Sequence, residues 1–232
     1  MTMCGRFFLI SKGSEIAERF RLVEEPLIQP RYNISPGQMV AIVRRDPKGV
    51  HLNRLLNVSW GLVPSWSQGT SPGKRFINAR CESVREKPAF RGAFRSRRCL
   101  IPANGFFEWS AGAAAKIPYV IQLRDGRLTA LAGLWDRWTS DQGEVLESCA
   151  VLTTQANELV GTLHDRMPVI LDVQDFDPWV DSDYHDRDLF ERLFRPYAPE
   201  KMECYPVSKQ VNSSRHEGPE CITRLSFYPE KT

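Results

Sequence analysis

The chain has 232 residues, of which 42% are hydrophobic and 25% are charged, and its formal net charge is +3. This length and composition are those of a globular protein that can bury a core without disulfide bonds. No basic region followed by an apolar run begins the sequence, and no apolar run approaches the ~18 residues that a membrane span requires. We therefore expect a cytoplasmic protein, not a secreted or membrane-spanning one.

Predicted strands outnumber predicted helices. Short segments rich in β-branched and aromatic residues predict strands at 39–44, 98–101, 106–109, 119–123, 128–134, 149–153, 169–171 and 204–207. Capping residues and helical spacing predict helices at 15–20 after a Ser14 cap, 88–94, 155–163 and 186–194. The two kinds of element do not alternate regularly. We predict a single α+β domain over residues 4–225, with a mostly antiparallel, barrel-like β-sheet core and flanking helices.

The six cysteines are widely separated, and no two of them form a C-x-x-C pair. Without a secretory signal we do not expect disulfide bonds. The four histidines are also dispersed, so no zinc site is predicted. Most of the cysteines are expected to be buried apolar residues. Cys4 is the exception, because residues near a chain end are seldom part of a core.

Charge is unevenly distributed along the chain. Residues 74–98 contain nine basic and two acidic residues, whereas residues 172–203 contain ten acidic and four basic residues. The basic stretch favours a polyanionic partner. A solvated helix face would explain it equally well.

Four segments place reactive groups beside turn-forming residues: CGR at 4–6, FINARCE at 76–82, IPANGFFEW at 101–109 and LHDRMP at 163–168. Glu108 lies between two aromatic residues, so it either points to solvent or is buried with a raised pKa and can donate a proton. His164 could be an ordinary loop histidine, and Asn78 and Arg80 could be turn and surface residues. None of these segments is specific alone.

Together the segments are specific. The chain resembles the SRAP family, first labelled SOS-response-associated peptidases and now understood as abasic-site processing proteins. Six motifs carry the resemblance, in order from Cys4 to about residue 220: C-G-R-F, R-Y-N-I-S-P-G, W-G-L-V-P-S-W, I-N-A-R-C-E-S, R-R-C-L-I-P-A-N-G-F-F-E-W and L-H-D-R-M-P-V-I-L. The resemblance implies a nucleoid-associated DNA repair protein that shields abasic sites in single-stranded DNA through a covalent thiazolidine crosslink to an N-terminal Cys4.

The chemistry of an N-terminal cysteine agrees with that implication. The opened sugar of an abasic site is an aldehyde, and an α-amine of pKa ~7.7–8.0 is unprotonated often enough near neutral pH to form an imine with it. The neighbouring thiol then closes a five-membered ring. An internal cysteine lacks the amine and would give at most a reversible hemithioacetal.

The resemblance also implies roles for other residues. Glu108 would move protons during imine formation and ring closure, and His164 would promote sugar ring opening and release of the crosslink. Asn78 would orient the opened sugar or the amine. Three arginines would contact the flanking phosphates: Arg6, Arg80 and Arg166. Pro64 and Trp66 would form a wedge against which exposed bases stack, and Trp109 would be a further DNA contact. No metal or organic cofactor is implied, and a monomer is the simplest expectation.

The sequence departs from the family pattern in two places. The family has one methionine before Cys-Gly-Arg-Phe, whereas Met-Thr-Met precedes Cys4 here. We expect either that Met3 is the true start or that the leader is trimmed, with Cys4 as nucleophile in an autopeptidase reaction. Ser110 stands where lysine is commoner, which we expect to alter only a phosphate contact.

Two other functions are weighed against the crosslinking protein. A cysteine peptidase or amidohydrolase using Cys4, His164 and Glu108 would turn over a substrate without DNA. A non-covalent single-stranded DNA-binding protein would show salt-sensitive binding and leave Cys4 unreacted. Both rank below the crosslinking protein.

Overall fold

Two long neighbouring strands, Thr129–Thr139 and Val145–Gln155, form the centre of the fold. Both are buried over most of their length and pair in antiparallel register. Their small, β-branched and aromatic residues suit a pleated surface that is packed on its faces. The structure is a computed structural model that describes residues 4–45, 53–69, 71–110 and 116–226.

The described residues contain thirteen strands, numbered here in chain order. They are β1 (Phe7–Leu9), β2 (Arg31–Ile34), β3 (Met39–Arg45), β4 (Asn53–Trp60), β5 (Asn78–Arg80), β6 (Arg98–Ala103), β7 (Gly105–Trp109), β8 (Pro118–Leu123), β9 (Thr129–Thr139), β10 (Val145–Gln155), β11 (Arg166–Pro168), β12 (Ile170–Leu171) and β13 (Met202–Pro206).

Five of these strands close into a barrel. Hydrogen-bonded neighbours follow the order β10, β4, β3, β6, β9, and β9 returns to β10. Closure removes the open edges that an isolated sheet would leave. Gly133 of β9 allows β6 to approach closely, because a Cβ at this position would lie 2.8 Å from the Cys99 sulfur. β5, β11 and β12 pair with β9 or β10 beside the barrel.

A second sheet of five antiparallel strands has the order β13, β8, β7, β1, β2. Alternate residues of its strands face two different apolar clusters, as the two-residue period of a strand requires. Phe7 and Phe106 belong to the main core, which includes the barrel, whereas Phe8 and Phe107 belong to a smaller cluster with Val120. The sheet therefore lies between the main core and the smaller cluster.

Five α-helices are found within the described residues: α1 (Gly13–Phe20), α2 (Pro88–Ser96), α3 (Glu158–Gly161), α4 (Phe176–Val180) and α5 (Arg187–Leu193). Aromatic residues join α2, α4 and α5, with ring centres 5.2 Å apart for Phe94 and Phe190 and 6.0 Å apart for Trp179 and Phe190. In the same part of the chain, no helix has the length and apolarity needed to cross a membrane.

The predicted α+β class with an antiparallel, barrel-like core is confirmed. Each of the eight predicted strands overlaps an observed strand, and three of the four predicted helices correspond to α1, α2 and α5. All six cysteines lie within the described residues as free thiols, and five of them are buried. Cys4 is among the buried five, contrary to the expectation for a residue near a chain end.

Two helix predictions were wrong in detail. Ser14 does not cap α1, which begins at Gly13 without a side-chain cap. The predicted helix over 155–163 is much shorter, because Gln155 remains paired as the last residue of β10. Asn157 accepts a backbone N–H and so caps α3 after this strand has ended.

Candidate active site

Cys4 is held against the second sheet by the pairing of β1 with β7. The Phe107 N–H donates to the Arg6 carbonyl at 3.0 Å, and continuing this register sets Gly5 opposite Glu108, so Cys4 follows one position further along. The Cys4 N–H donates to Glu108 Oε1 at 2.9 Å. Cys4 also has a φ of 42°, a left-handed conformation that costs about 1–3 kcal/mol for a residue with a side chain. Such strain is concentrated at functional sites.

Glu108 points into the protein and not to solvent, since the residue is only 4% exposed. Burial raises the pKa of its carboxyl, and the hydrogen bonds from Cys4 and the charge of His164 offset this only in part. A carboxyl with a raised pKa exchanges protons closer to neutral pH. Glu108 can therefore act both as an acid and as a base toward the nitrogen of Cys4.

The Cys4 thiol is held in its protonated form. Cys4 is buried, yet it belongs to neither of the two apolar clusters. Burial raises the pKa of the thiol well above its usual value, the charge and hydrogen bond of Glu108 raise it further, and the charge of Arg166 lowers it. Because the thiolate is the reactive form, the thiol needs a base nearby, and Glu108 is in contact with the same residue.

Arg166, the first residue of β11, forms a bidentate ion pair with Glu82. Its Nη1 and Nη2 atoms donate to the two carboxylate oxygens at 2.5 and 2.9 Å, and Nη2 also donates to the Thr153 carbonyl at 2.7 Å. Partial burial raises the pKa of Glu82, but the hydrogen bonds and charge of Arg166 outweigh burial and hold this pKa below its usual value. Arg166, predicted to bind a phosphate, thus has an internal carboxylate partner.

His164 lies between α3 and β11, with its side chain mostly buried. Its Nδ1 accepts the Arg166 N–H at 3.1 Å, and Asp165 Oδ1 lies 2.9 Å from the same nitrogen. The first contact needs a lone pair on Nδ1, whereas the second needs a proton there. The tautomer of His164 therefore decides which of the two contacts forms, and His164 lies close enough to Glu108 to act electrostatically on its carboxyl.

β5 brings Asn78 and Arg80 to the same part of the barrel. Its parallel pairing with β10 sets Arg80 opposite Thr153, whose carbonyl Arg166 contacts. Ala79 between them is buried in the main core, so Asn78 and Arg80 face the other side of the strand. Asn78 is partly buried and Arg80 is exposed. Of the two, Arg80 has the exposure that a phosphate contact requires.

Arg6 and Trp109 are fixed to a turn near the C-terminal end of the described chain. The Arg6 Nη1 donates to Asn33 Oδ1 at 2.6 Å and to the Val211 carbonyl at 2.8 Å. The guanidinium carbon lies 5.9 Å from the centre of the Trp109 ring, and the Trp109 indole N–H donates to Asn212 Oδ1 at 2.7 Å. Burial lowers the pKa of Arg6. Like Arg166, Arg6 has internal hydrogen-bond acceptors.

Pro64 and Trp66, predicted to form a wedge, differ in exposure. Pro64 is buried, whereas Trp66 is 62% exposed. The Trp66 indole N–H donates to the Pro88 carbonyl at the start of α2, at 3.2 Å. Pro64 has no open face in this structure, so of the pair only Trp66 is available for stacking on a base.

Three residues at the site were not predicted: Glu82, Thr153 and Asp165. Glu82 is one of only two acids in the basic stretch 74–98, which is a signal that it has a cationic partner. Asp165 follows His164 directly in the L-H-D-R-M-P motif. Thr153 gave no signal, because its contact with Arg166 depends on the pairing of β10 with β11.

These side chains suit a reaction at both reactive atoms of Cys4. A carboxyl of raised pKa contacts the nitrogen, an imidazole lies near that carboxyl, and an arginine charge acts on the thiol. Within the four described ranges, no group of three or more His, Cys, Asp or Glu could hold a metal ion.

Related proteins carry one shared name. The protein named Abasic site processing protein YoqW from Bacillus subtilis (strain 168) is 40% identical over 224 residues, covering 95% of this chain and 99% of that protein. Abasic site processing protein YMR114C from Saccharomyces cerevisiae is 32% identical, covering 88% of this chain and 55% of that protein. Abasic site processing protein HMCES from Gallus gallus is 33% identical, covering 75% of this chain and 58% of that protein.

Solved structures and a family model agree with this relationship. A protein from Bacteroides thetaiotaomicron superimposes with a TM-score of 0.81 at 26% identity, covering 96% of this chain and 100% of that one. The family described as SOS response associated peptidase (SRAP) matches residues 3–214. The chain therefore belongs to the SRAP family.

Proposed function

We propose that this protein binds abasic sites in single-stranded DNA and forms a covalent thiazolidine crosslink with them through Cys4. The substrate class is suggested by the relatives named abasic site processing proteins. One observation carries the proposal: the Cys4 N–H contacts Glu108 Oε1 at 2.9 Å in a buried site. A proton-transfer group thus touches the nitrogen that must react, on the same residue as the thiol.

The reaction requires that Cys4 be the N-terminal residue, so that its nitrogen is an amine. The amine attacks the aldehyde carbon of the opened sugar, and Glu108 donates the proton with which the carbinolamine hydroxyl leaves as water. The thiol sulfur then adds to the imine carbon, and its proton passes through Glu108 to the nitrogen. One C–N bond and one C–S bond form, and one water is lost in total.

The other residues support this sequence of steps. His164, close enough for its charge to act on Glu108, promotes sugar ring opening and the reverse reaction. Asn78 orients the opened sugar by amide hydrogen bonds. The positive charge of Arg166 favours the thiolate of Cys4 and so assists ring closure. Arg80 and Trp66, both exposed, contact the flanking phosphate and base.

The same groups can remove the residues that precede Cys4. The thiol attacks the carbonyl carbon of residue 3, the C–N bond breaks, and Glu108 transfers the thiol proton to the departing Cys4 nitrogen. Water then hydrolyses the thioester, which releases the leader and restores the thiol with a free amine beside it. The contact between Glu108 and the Cys4 nitrogen supports this step as well.

The test is a denaturing gel with intact-mass measurement. The full chain and a version beginning at Met3 are each mixed with a single-stranded oligonucleotide that holds one abasic site. We expect a heat-stable adduct whose mass equals protein plus DNA less one water, with Cys4 as its first residue. A preparation that has a free N-terminal Cys4 and gives no adduct would overturn the proposal. Turnover of a peptide without DNA would favour the cysteine peptidase instead.

A further inference from the structure

A basic groove crosses the outer face of α2. Its first part is a depression of about 280 Å³ between Trp66 and α2, and its second part, of about 540 Å³, lies toward α5. Arg91 and Gly92 line both parts, so the two depressions meet there. We call them together the α2 groove. Its remaining lining residues include Pro88, Arg85, Arg95 and His185.

The cations along the α2 groove have no acidic partner in the part of the chain that the structure describes. Lys87, Arg91 and Arg95 follow one another at four-residue spacing, are exposed, and form no ion pair with any described residue. Like charges at this spacing destabilise a helix. Two acids of the segment before α5, Asp181 and Asp186, accept backbone N–H groups within that segment and at the start of α5. The stripe of charge therefore brings no benefit within the fold and is available to an anion.

Arg85 is positioned by stacking and lies next to the candidate active site along the chain. Its guanidinium carbon is 5.7 Å from the Phe94 ring centre and 5.6 Å from that of Phe190. A guanidinium fixed in this way keeps its donors in the planar arrangement that suits a phosphate. Arg85 follows Glu82, the partner of Arg166, by three residues in the sequence, so neighbouring parts of the chain contribute to the α2 groove and to the candidate active site.

Gly92, which has no side chain, leaves open the place where the two depressions meet. It is exposed in the interior of α2, where glycine is less favourable than alanine. Packing does not require it, because a Cβ there would meet only Arg97 Nη2, at an ordinary 3.5 Å. A longer side chain at this position would project from the helix surface where Arg91 lines both depressions.

From these observations we infer that the α2 groove binds the sugar-phosphate backbone of the single strand that flanks the abasic site. Arg85, Arg91 and Arg95 contact successive phosphates, and Trp66 at the end of the groove stacks on a base. The occupant is a nucleic-acid strand because the groove combines unpaired cations with an exposed indole face. The inference rests on the proposed function for the identity of that strand.

The test compares Arg91→Ala/Arg95→Ala with the control Arg124→Ala/Lys201→Ala, which removes the same charge. In the pairing of β7 with β8, Glu108 lies opposite Tyr119, near the start of β8. Arg124 follows the other end of β8 and so lies away from the active site. Affinity for an undamaged single strand of about 16 nucleotides is measured by fluorescence anisotropy at several salt concentrations. We expect the groove variant to bind roughly tenfold more weakly than the wild type. The slope of the logarithm of the binding constant against the logarithm of salt concentration should be smaller in magnitude by about 1.4, and the control should match the wild type in both quantities.

A second variant keeps the charge and changes the shape. Gly92→Gln is expected to weaken binding of the same strand severalfold while thermal unfolding stays close to that of the wild type. Equal affinities and slopes for the groove variant and the wild type would overturn the inference. So would an equal loss in the control, because net charge alone would then explain the binding.

Crosslinking of a short abasic oligonucleotide of about four nucleotides separates the two proposals. This strand is too short to fill the α2 groove, so the groove variant is expected to give the same final adduct yield as the wild type. If the wild type gives no adduct but binding still depends on the α2 groove, the proposed function fails and the groove stands. If adducts form normally and the groove variant binds the strand like the wild type, the proposed function stands and only the inference about the α2 groove is overturned.

Discussion

Two buried cysteines, Cys4 and Cys149, lie in contrasting surroundings. Cys149 belongs to β10 in the barrel wall and to the main apolar cluster, and burial alone raises the pKa of its thiol. Cys4 is almost as fully buried, but Glu108 contacts its nitrogen and the charge of Arg166 acts on its thiol. Burial is thus common to both residues, and the neighbouring ionisable groups distinguish the one equipped to react.

The contrast follows from where each cysteine lies in its strand. Cys149 is in the middle of a long strand that is paired on both sides, with β9 and with β4. Cys4 precedes the short β1, where strand pairing has ended and side chains satisfy the backbone instead. A backbone N–H without a ladder partner needs an acceptor, and Glu108 supplies it. The end of a sheet therefore admits a buried carboxyl that the barrel wall would exclude.

The largest expected effect is the loss of crosslinking in Cys4→Ser. When residue 4 is made the first residue of the variant, serine has an α-amine and so can form an imine, but it lacks the thiol that closes a stable ring. We expect the heat-stable adduct to fall below detection on a denaturing gel. Cys149→Ala is the matched control, expected to lose about 1 kcal/mol of unfolding free energy and to crosslink normally. An adduct in Cys4→Ser, or none in a folded Cys149→Ala, would break the distinction between the two thiols.

The second effect is on the crosslinking rate of Glu108→Gln. The amide can still accept the Cys4 N–H but cannot transfer protons, so we expect the initial rate to fall by about 10²–10⁴. Glu147→Gln is the control, because Glu147 is an acid on the same strand as Cys149 and pairs with Arg44. Its rate should equal that of the wild type. Equal rates in Glu108→Gln and the wild type would mean that Glu108 only holds the backbone.

A smaller effect is expected on stability in Glu82→Gln. The change weakens the bidentate pair with buried Arg166, and we expect a loss of about 1.5 kcal/mol in unfolding free energy measured in urea. The half-exposed position of Glu82 keeps this value low. The exposed pair of Arg187 with Glu191 is the control, and Glu191→Gln should cost only about 0.3–0.5 kcal/mol. Equal losses would mean that the pair beside Cys4 is no stronger than a surface one.

Much of the fold could be predicted from the sequence because many of its strands carry a local signal. β3, β6 and β10 carry runs of β-branched and apolar residues bounded by turns, which is a local signal. Five strands were missed: β1, β2, β4, β5 and β11. Polar residues break the pattern in β2 and β4, and the other three strands have only three residues each. The closure of the barrel depends on the pairing of distant strands, which no local pattern encodes.

In the candidate site too, features with a local sequence signal could be predicted, and features set by tertiary packing could not. Cys4, Glu108 and His164 were found because each lies in a short motif that joins a reactive group to turn residues or aromatics. The direction of the Glu108 side chain could not be decided, because both faces of β7 are covered and alternation gives no answer. The ion pair of Arg166 with Glu82 joins residues 84 positions apart and arises from tertiary packing alone.

The smallest expected effect is a difference in how pH changes stability. Burial raises the pKa of folded Glu108 above its ordinary 4.5, so the folded protein keeps this proton to higher pH than the unfolded chain. The stability that Glu108 contributes is full below the ordinary value and is lost as pH rises through the folded value. Glu108→Gln has no such loss. As pH rises above 4.5, the unfolding free energy of Glu108→Gln should therefore increase relative to that of the wild type.

Cys149→Ala is again the control for this measurement. Its thiol is neutral in both the folded and the unfolded chain over the acidic range, because burial raises an already high pKa. Urea unfolding of the three proteins from acidic to neutral pH should give a constant difference for Cys149→Ala and a changing one for Glu108→Gln. A difference for Glu108→Gln that moves the other way would mean that the folded protein stabilises the carboxylate, so that Glu108 could not supply the proton that the carbinolamine needs.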